Sequence, residues 1–270
     1  MKQGTPPAHK ARKRFGQNFL HEANVIERIV RAITPRPGQR LIEIGPGQGA
    51  ITAPLLQAGA DLTAIEIDRD LAAMLRDRFG AEPRFQLVEM DVLKFDFATL
   101  GAEPAGLRVL GNLPYNISTP LIFHLLDYAT LIHDMVFMLQ LEVVERMAAA
   151  PDTDDYGRLS VMVQYHCKVE KLFKVPPGAF HPQPKVDSAI VRLTPQRPLP
   201  FEASDPGLFE RVVREAFSQR RKTLRNTLRK LVTPEQFAQL GIDTSRRAET
   251  LGLEDYVRIS NLLAADGKSP

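Results

Sequence analysis

The chain of 270 residues has no tryptophan and a single cysteine, Cys167. One thiol excludes an internal disulfide framework and matches a reducing compartment. Long apolar runs are also missing, and none approaches the ~20 residues that a membrane-spanning helix needs. The first fifteen residues are basic without an apolar segment, which is not the form of a secretory signal. The six histidines fall at unrelated spacings, so no metal site is signalled. These absences lead to the expectation of a cytoplasmic protein with neither membrane nor metal partner. An apolar share of 44% and a charged share of 25% fit an ordinary globular chain. Its length leaves room for one large domain and one small one.

Net charge is only +3, but it is unevenly spread. Lys2, Lys10, Arg12, Lys13 and Arg14 crowd the N-terminus with no acid among them. Residues 211–230 hold Arg211, Arg214, Arg220, Arg221, Lys222, Arg225, Arg229 and Lys230 against Glu215 alone. The rest of the chain is therefore net acidic. Positive charge concentrated on an acidic body points to a polyanionic partner, whereas a solvated helix face and a basic tail would give the same pattern without one.

Val25, Ile26, Ile29, Val30 and Ile33 recur at helical spacing and predict a helix over 21–33, stopped by Pro35 and Pro37. A strand over 40–44 runs into Gly45-Pro46-Gly47-Gln48-Gly49-Ala50, followed by a helix over 51–59. Strand, glycine turn and helix make the first unit of a dinucleotide-type α/β fold. The next strand, 62–66, ends in Glu66, where a carboxylate can take the ribose hydroxyls of an adenosine-containing cofactor. A helix over 69–79 and a strand over 85–90 bring Asp91 to the same edge, within reach of an adenine amine. The turn also fits the loose G-x-G-x-x-A form, so a nicotinamide or flavin cofactor competes. Glu43, two residues before the turn, would repel a pyrophosphate and attract a cationic amino acid group. No downstream histidine or tyrosine–lysine pair suggests hydride transfer. Both features favour S-adenosylmethionine, while Glu43 would equally suit a carboxylate capping nearby amides.

Leu107, Val109 and Leu110 read as a buried strand that delivers Asn112-Leu113-Pro114-Tyr115 to the ligand crevice. Asn112 offers a side-chain acceptor, Pro114 only its backbone carbonyl, and Tyr115 a flat ring. Two acceptors beside an aromatic plate suit a planar base with an exocyclic amine, such as adenine. Alone, the tetrapeptide suits a proline turn capping a strand just as well.

A helix over 118–126 with Ser118 as N-cap, a strand over 134–139 and a helix over 140–150 follow. A strand over 168–175, a proline-rich loop over 176–184 and a strand over 186–193 complete this part. The loop holds Phe180 either as a second stacking ring for the base or as an apolar plug. Beyond a linker over 195–206, helices are expected over 206–218, 222–231, 234–240 and 253–264.

Six segments, in order, carry a resemblance. They are Lys13-Arg14-Phe15-Gly16-Gln17-Asn18-Phe19-Leu20, Glu43-Ile44-Gly45-Pro46-Gly47-Gln48-Gly49, Ala64-Ile65-Glu66-Ile67-Asp68, Gly111-Asn112-Leu113-Pro114-Tyr115-Asn116-Ile117-Ser118, Phe180-His181-Pro182-Gln183-Pro184-Lys185-Val186-Asp187-Ser188 and Phe217-Ser218-Gln219-Arg220-Arg221-Lys222-Thr223-Leu224-Arg225-Asn226. Together the chain resembles the ribosomal RNA adenine N6,N6-dimethyltransferases, and within them the bacterial small-subunit branch. The resemblance implies a basic tail over 1–14 and a class I S-adenosylmethionine-dependent methyltransferase domain, Rossmann-like α/β, over 15–198. A small all-helical RNA-binding domain would cover 199–270. It implies that Asn18 and Leu20 close over the cofactor, with Gly45 beneath its amino acid part, Glu66 on the ribose and Asp91 on the adenine. Glu43, Gly47, Ile67, Val92 and Asn112 complete that site. Asn112, Leu113, Pro114 and Tyr115 would present the target amine, Phe180 would stack on it, and Arg220, Arg221, Lys222 and Arg225 would hold RNA.

The implied reaction is dimethylation of two adjacent adenosines in the 3′-terminal hairpin loop of small-subunit (16S) rRNA. It would be performed by a monomer on a pre-30S particle and leave S-adenosylhomocysteine. The chain departs from the pattern at Glu89-Met90-Asp91, where a glycine is expected before the aspartate. Two alternatives share the motifs: a large-subunit (23S) rRNA adenine methyltransferase and a non-catalytic RNA-binding assembly factor. The proline-rich loop and the 220–225 run favour the small-subunit branch, and the intact Asn112–Tyr115 stretch with Glu66 and Asp91 favours catalysis.

Overall fold

The computed structural model describes residues 17–267, so the basic tail and residues 13–16 of the first motif lie outside the described residues. A two-residue strand β1 (Phe19–Leu20) leads into α1 (Ala23–Ile33). Val25, Ile29 and Ile33 bury one stripe of α1, and the Glu22 carboxylate caps it by accepting from Val25 N at 2.7 Å. Alternating strands and helices follow: β2 (Arg40–Ile44), α2 (Thr52–Gln57), β3 (Asp61–Glu66), α3 (Arg69–Phe79), β4 (Phe85–Glu89), β5 (Leu107–Asn112), α4 (Ser118–Leu126) and β6 (Ile132–Gln140). Later come β7 (Cys167–Val175), β8 (Phe180–His181) and β9 (Ser188–Pro195).

The main sheet has the order β4-β3-β2-β5-β6-β9-β7. Strands β2 to β6 run parallel, and β9 is antiparallel to β6. β5 buries residues on both faces, as a covered parallel strand does. The chain steps outward from β2 to β3 and β4, then returns to place β5 on the other flank of β2. The loops after β2 and β5 therefore leave in opposite directions, which opens a crevice at their carboxyl ends. A separate two-stranded sheet pairs Phe19 with His181 and Leu20 with Phe180.

Two compact units divide the chain, and the division does not follow a single cut at residue 198. One comprises residues up to Leu141 with Glu170–Thr194, the other Glu142–Val169 with Pro195–Pro270. The helices α5 (Leu141–Ala148) and α6 (Arg158–His166) thus belong mainly with the later α7 (Pro206–Ala216), α8 (Leu224–Thr227), α9 (Pro234–Leu240) and α10 (Leu253–Ala265). The rings of Tyr165 and Phe209, their centroids 4.4 Å apart and their planes tilted by 33°, join α6 to α7. The Tyr256 hydroxyl on α10 donates to the Ala248 carbonyl at 2.6 Å.

Two sequence expectations change. The 118–126 helix exists, but Ile117 is its cap residue and the Ser118 hydroxyl instead donates back to the Tyr115 carbonyl at 3.1 Å. The helix expected over 222–231 shrinks to α8, because the N–H groups of Leu224 and Arg225 donate to the carbonyls of Arg246 and Thr244. Those bonds, with the Thr223–Arg247 bridge, hold the segment against another loop.

At the crevice, Gly111 on β5 pairs with Ile44 on β2. A Cβ on Gly111 would come within 2.4 Å of the Ile44 carbonyl oxygen. Gly111→Ala is expected to destabilise the fold by about 1–3 kcal/mol, as overpacking does. A denaturant midpoint equal to that of the unmutated protein would show that β2 and β5 can part without cost.

Candidate active site

A cavity of about 270 Å³ opens at the carboxyl ends of β2, β3, β4 and β5. Its lining brings together Asn18, Leu20, Glu43, Gly45, Gly47, Glu66, Ile67, Asp91, Val92, Asn112, Leu113, Pro114 and Tyr115. Residues that the sequence separates by nearly a hundred positions thus share one wall.

The floor is the glycine turn. Gly45 and Gly47 have φ of +64° and +58°, a region that side chains rarely adopt. A Cβ on Gly47 would also press on the Phe19 ring at 3.3 Å, so the turn lets the N-terminal segment lie close over it. Gln17 Nε2 donates to the Asp68 carboxylate at 3.0 Å, and Asp68 in turn caps α3 through Asp70 N. Asn112 Nδ2 donates to the Asn18 carbonyl at 3.0 Å. Flipping that amide would set two oxygens at the same separation, so its Oδ1 is the atom left as an acceptor.

Glu43 and Glu66 are 2% and 5% exposed. Desolvation pushes the Glu43 carboxyl up to about 7, helped by nearby Glu66 and opposed by the Thr52 hydroxyl, which donates at 2.6 Å. Burial likewise raises Glu66, against N–H groups of Asp68, Gly47 and Ile67 that favour its charge, while the Asp68 carboxylate adds to the rise. Asp91 caps a short turn over Val92–Lys94 by accepting from Leu93 N at 3.0 Å. Ile67, though apolar, is 47% exposed on the cavity wall, which suits the face of a flat ring.

At the far end of the cavity, Leu113 N donates to the Met138 carbonyl at 3.1 Å and fixes the start of the turn. The Pro114 carbonyl accepts from Ile117 N at 3.1 Å, which occupies one lone pair and leaves the second. Tyr115 is half-buried, its hydroxyl 2.8 Å from Ser188 Oγ, and burial raises its phenol.

Phe180 is not brought to this site. It is 1% exposed and packs in the apolar core with Leu20, Val175 and Ala179. Its pairing opposite Leu20 in the two-stranded sheet places it there, so the apolar-plug reading describes it and the stacking-ring reading does not. Arg220, Arg221, Lys222 and Arg225 are exposed in the second unit, and Arg220 donates to the Asp154 carbonyl at 3.1 Å. Sequence reasoning gave no role to Gln17, Thr52, Asp68 or Ser188. Asp68 carried a signal as the N-cap before a helix, but its second bond, to Gln17, is a tertiary event. No group of metal-ligating side chains occurs among the described residues, and no described helix is long and apolar enough to cross a membrane.

The Glu43 carboxyl has a pH consequence. An unfolded glutamate titrates near 4.5, so between that pH and about 7 the folded protein keeps a proton that the unfolded chain has lost. Its contribution to stability is therefore greatest at the acid end and declines as pH rises through about 7. Glu43→Gln is expected to match the unmutated protein near pH 4.5 and to exceed it by roughly 2–3 kcal/mol above pH ~8. Thermal unfolding across that range would check this, and identical pH profiles would assign the ionisation elsewhere.

The chain matches the family model of the ribosomal RNA adenine dimethylases over residues 8–265. It is 63% identical over 256 residues to "Ribosomal RNA small subunit methyltransferase A" of Pseudomonas aeruginosa, covering 95% of this chain and 96% of that one. A dimethyladenosine transferase structure from Plasmodium falciparum superposes with a TM-score of 0.79 at 26% identity, over 92% of this chain and 98% of that one. The 23S rRNA methyltransferase ErmE gives 0.67 at 28% identity, over 92% of this chain and all of the other. These structures share the Rossmann-like class I methyltransferase fold built above. With the matched family model spanning nearly its whole length, the chain belongs to the ribosomal RNA adenine dimethylase family and is a methyltransferase.

Proposed function

We propose that this methyltransferase uses S-adenosylmethionine to dimethylate two adjacent adenosines in the 3′-terminal hairpin loop of small-subunit (16S) rRNA, acting on a pre-30S particle. The observation that carries the reading is the Asn112 amide, whose Nδ2 is committed to Asn18 and whose Oδ1 is left as an acceptor beside Pro114 and Tyr115. The small-subunit name shared by relatives about 60% identical supports this substrate over a large-subunit one.

The residues fit the cofactor. Glu66 offers a buried carboxylate to vicinal ribose hydroxyls, which would keep it ionised against its own desolvation. Asp91 offers an acceptor to an adenine amine between the apolar walls of Ile67 and Val92. Gly45 and Gly47 let the backbone approach an amino acid moiety, and Glu43 favours its positive charge. When bound, this cofactor supplies an electrophilic methyl group on a sulfonium.

The protein's part is orientation. Asn112 Oδ1 and the second lone pair of the Pro114 carbonyl accept the two N–H groups of adenine N6, drawing them out of the ring plane. The nitrogen lone pair is then withdrawn from the ring and aimed at the methyl. The Tyr115 face stacks on the base, a contact worth roughly 1–3 kcal/mol, and the base must be unpaired or flipped to reach it. The displaced proton leaves to solvent after transfer. Arg220, Arg221, Lys222 and Arg225 supply a sequence-independent hold on phosphates.

Labelled S-adenosylmethionine offered with small subunits and, separately, with naked large-subunit rRNA tests the reading. Dimethyladenosine on small subunits alone is expected. Label on large-subunit rRNA would transfer the chain to that specificity, and no label on either would make it a binding factor.

Tyr115→Ala is expected to lose turnover by about tenfold or more through lost stacking while retaining affinity for S-adenosylhomocysteine by calorimetry. Lost cofactor affinity would put Tyr115 in the wrong half of the cavity. Reversing Arg221 and Lys222 to Glu is expected to weaken RNA binding and flatten its salt dependence, each lost contact removing about 0.9 from the log–log slope on duplex. An unchanged slope would remove this loop from the RNA interface.

A further inference from the structure

Ser188 stands at the first position of β9, opposite Gln140 on β6, and is fully buried. Its hydroxyl lies 2.8 Å from the Tyr115 hydroxyl. The backbone end of Tyr115 is held independently, because the Ser118 hydroxyl donates to its carbonyl at 3.1 Å. A tyrosine anchored only at the backbone can turn about its side-chain torsions. Anchoring the far end of the ring as well holds the swing of its long axis, and because a phenolic O–H and its lone pairs prefer the ring plane, the direction of the bond to Ser188 also orients the plate about that axis. A serine in the sheet core thereby determines the tilt of a half-exposed ring 73 residues away.

We propose that Ser188 is a positioning residue that fixes the Tyr115 ring plane and so governs how far adenosine proceeds from the monomethyl to the dimethyl product. The inference rests on the dimethyltransferase reading. Each transfer forms one N–C bond as one S–C bond breaks, and one proton leaves N6 for solvent. In the first transfer, N6 brings two N–H groups to Asn112 and Pro114. In the second it brings one, so a larger share of its orientation falls on the ring beneath. A ring free to tilt therefore costs the second transfer more than the first.

The test uses the full chain as Ser188→Ala, Tyr115→Phe and the double variant. Labelled S-adenosylmethionine is supplied with small subunits, and nucleosides are separated at partial conversion. Binding of S-adenosylhomocysteine is measured by calorimetry, and folding is checked by thermal unfolding. Each single variant is expected to lower the dimethyl-to-monomethyl ratio about three- to tenfold, the worth of one hydrogen bond. The double variant should go no lower than either single one, with S-adenosylhomocysteine affinity unchanged. An unaltered ratio in Ser188→Ala, additive effects in the double variant, or loss of S-adenosylhomocysteine affinity would each overturn the proposal. If Ser188→Ala does not fold, Tyr115→Phe decides alone, since it removes the same bond from the cavity side. If the unmutated protein makes no dimethyladenosine, the dimethyltransferase reading itself falls, and the proposal falls with it.

Discussion

Asn112 ends the central strand of the sheet, and its hydrogen bond to the Asn18 carbonyl is the contact on which both ends of the cavity depend. An amide has one donor side and one acceptor side, so committing the nitrogen to the N-terminal segment determines what the oxygen can do. The same bond draws residues 17–20 over the glycine turn, where Phe19 lies against Gly47. Cofactor half and target half are thereby linked through one side chain. The arrangement needs β2 and β5 at close spacing, which Gly111 permits by having no Cβ to meet the Ile44 carbonyl.

Two carboxyl groups buried near each other are a poor choice for stability alone, since each resists ionisation in the low-dielectric interior. Glu43 and Glu66 are kept with few compensating partners: a threonine hydroxyl for one and backbone N–H groups for the other. Such a pair becomes favourable once a cation and hydroxyl donors share the cavity. The strain on the folded protein and the affinity proposed for a positively charged, ribose-bearing cofactor would thus have the same origin. The proposed target recognition would use a different resource, neutral acceptors beside an aromatic face, which suits an uncharged adenine.

In the proposed role, the second unit answers a different physical problem. A long polyanion is held by many weak contacts to phosphate, and these need exposed cations more than a shaped cavity. The segment carrying Arg220, Arg221, Lys222 and Arg225, a loop running into α8, is pinned by backbone bonds to residues 244–247 while these four side chains stay exposed.

Local pattern and chemistry were enough to determine a good deal. The stripe of Val25, Ile29 and Ile33, the strands that carry Glu43, Glu66 and Asn112 at or near their ends, and the helix over 69–79 follow from periodicity and flanking turn residues, signals that act within a few positions. The glycine turn, the two acids and the Asn112–Tyr115 stretch named the wall of the cavity, because strand ends in a parallel sheet converge whatever the intervening sequence. What only the tertiary structure decided was long-range and geometric. Phe180 reads from its stiff loop either as a stacking ring or as an apolar plug, and it is pairing with Leu20 that turns it into the core. The basic run over 222–231 reads as a helix, yet the N–H groups of Leu224 and Arg225 go to a loop twenty residues on. Residues 142–169 join the C-terminal unit, which no local signal announces. The bonds of Gln17 to Asp68 and Ser188 to Tyr115 link positions 51 and 73 residues apart. Local periodicity acts along the chain, whereas these contacts are selected by the packing of the whole sheet, so no window of sequence contains them.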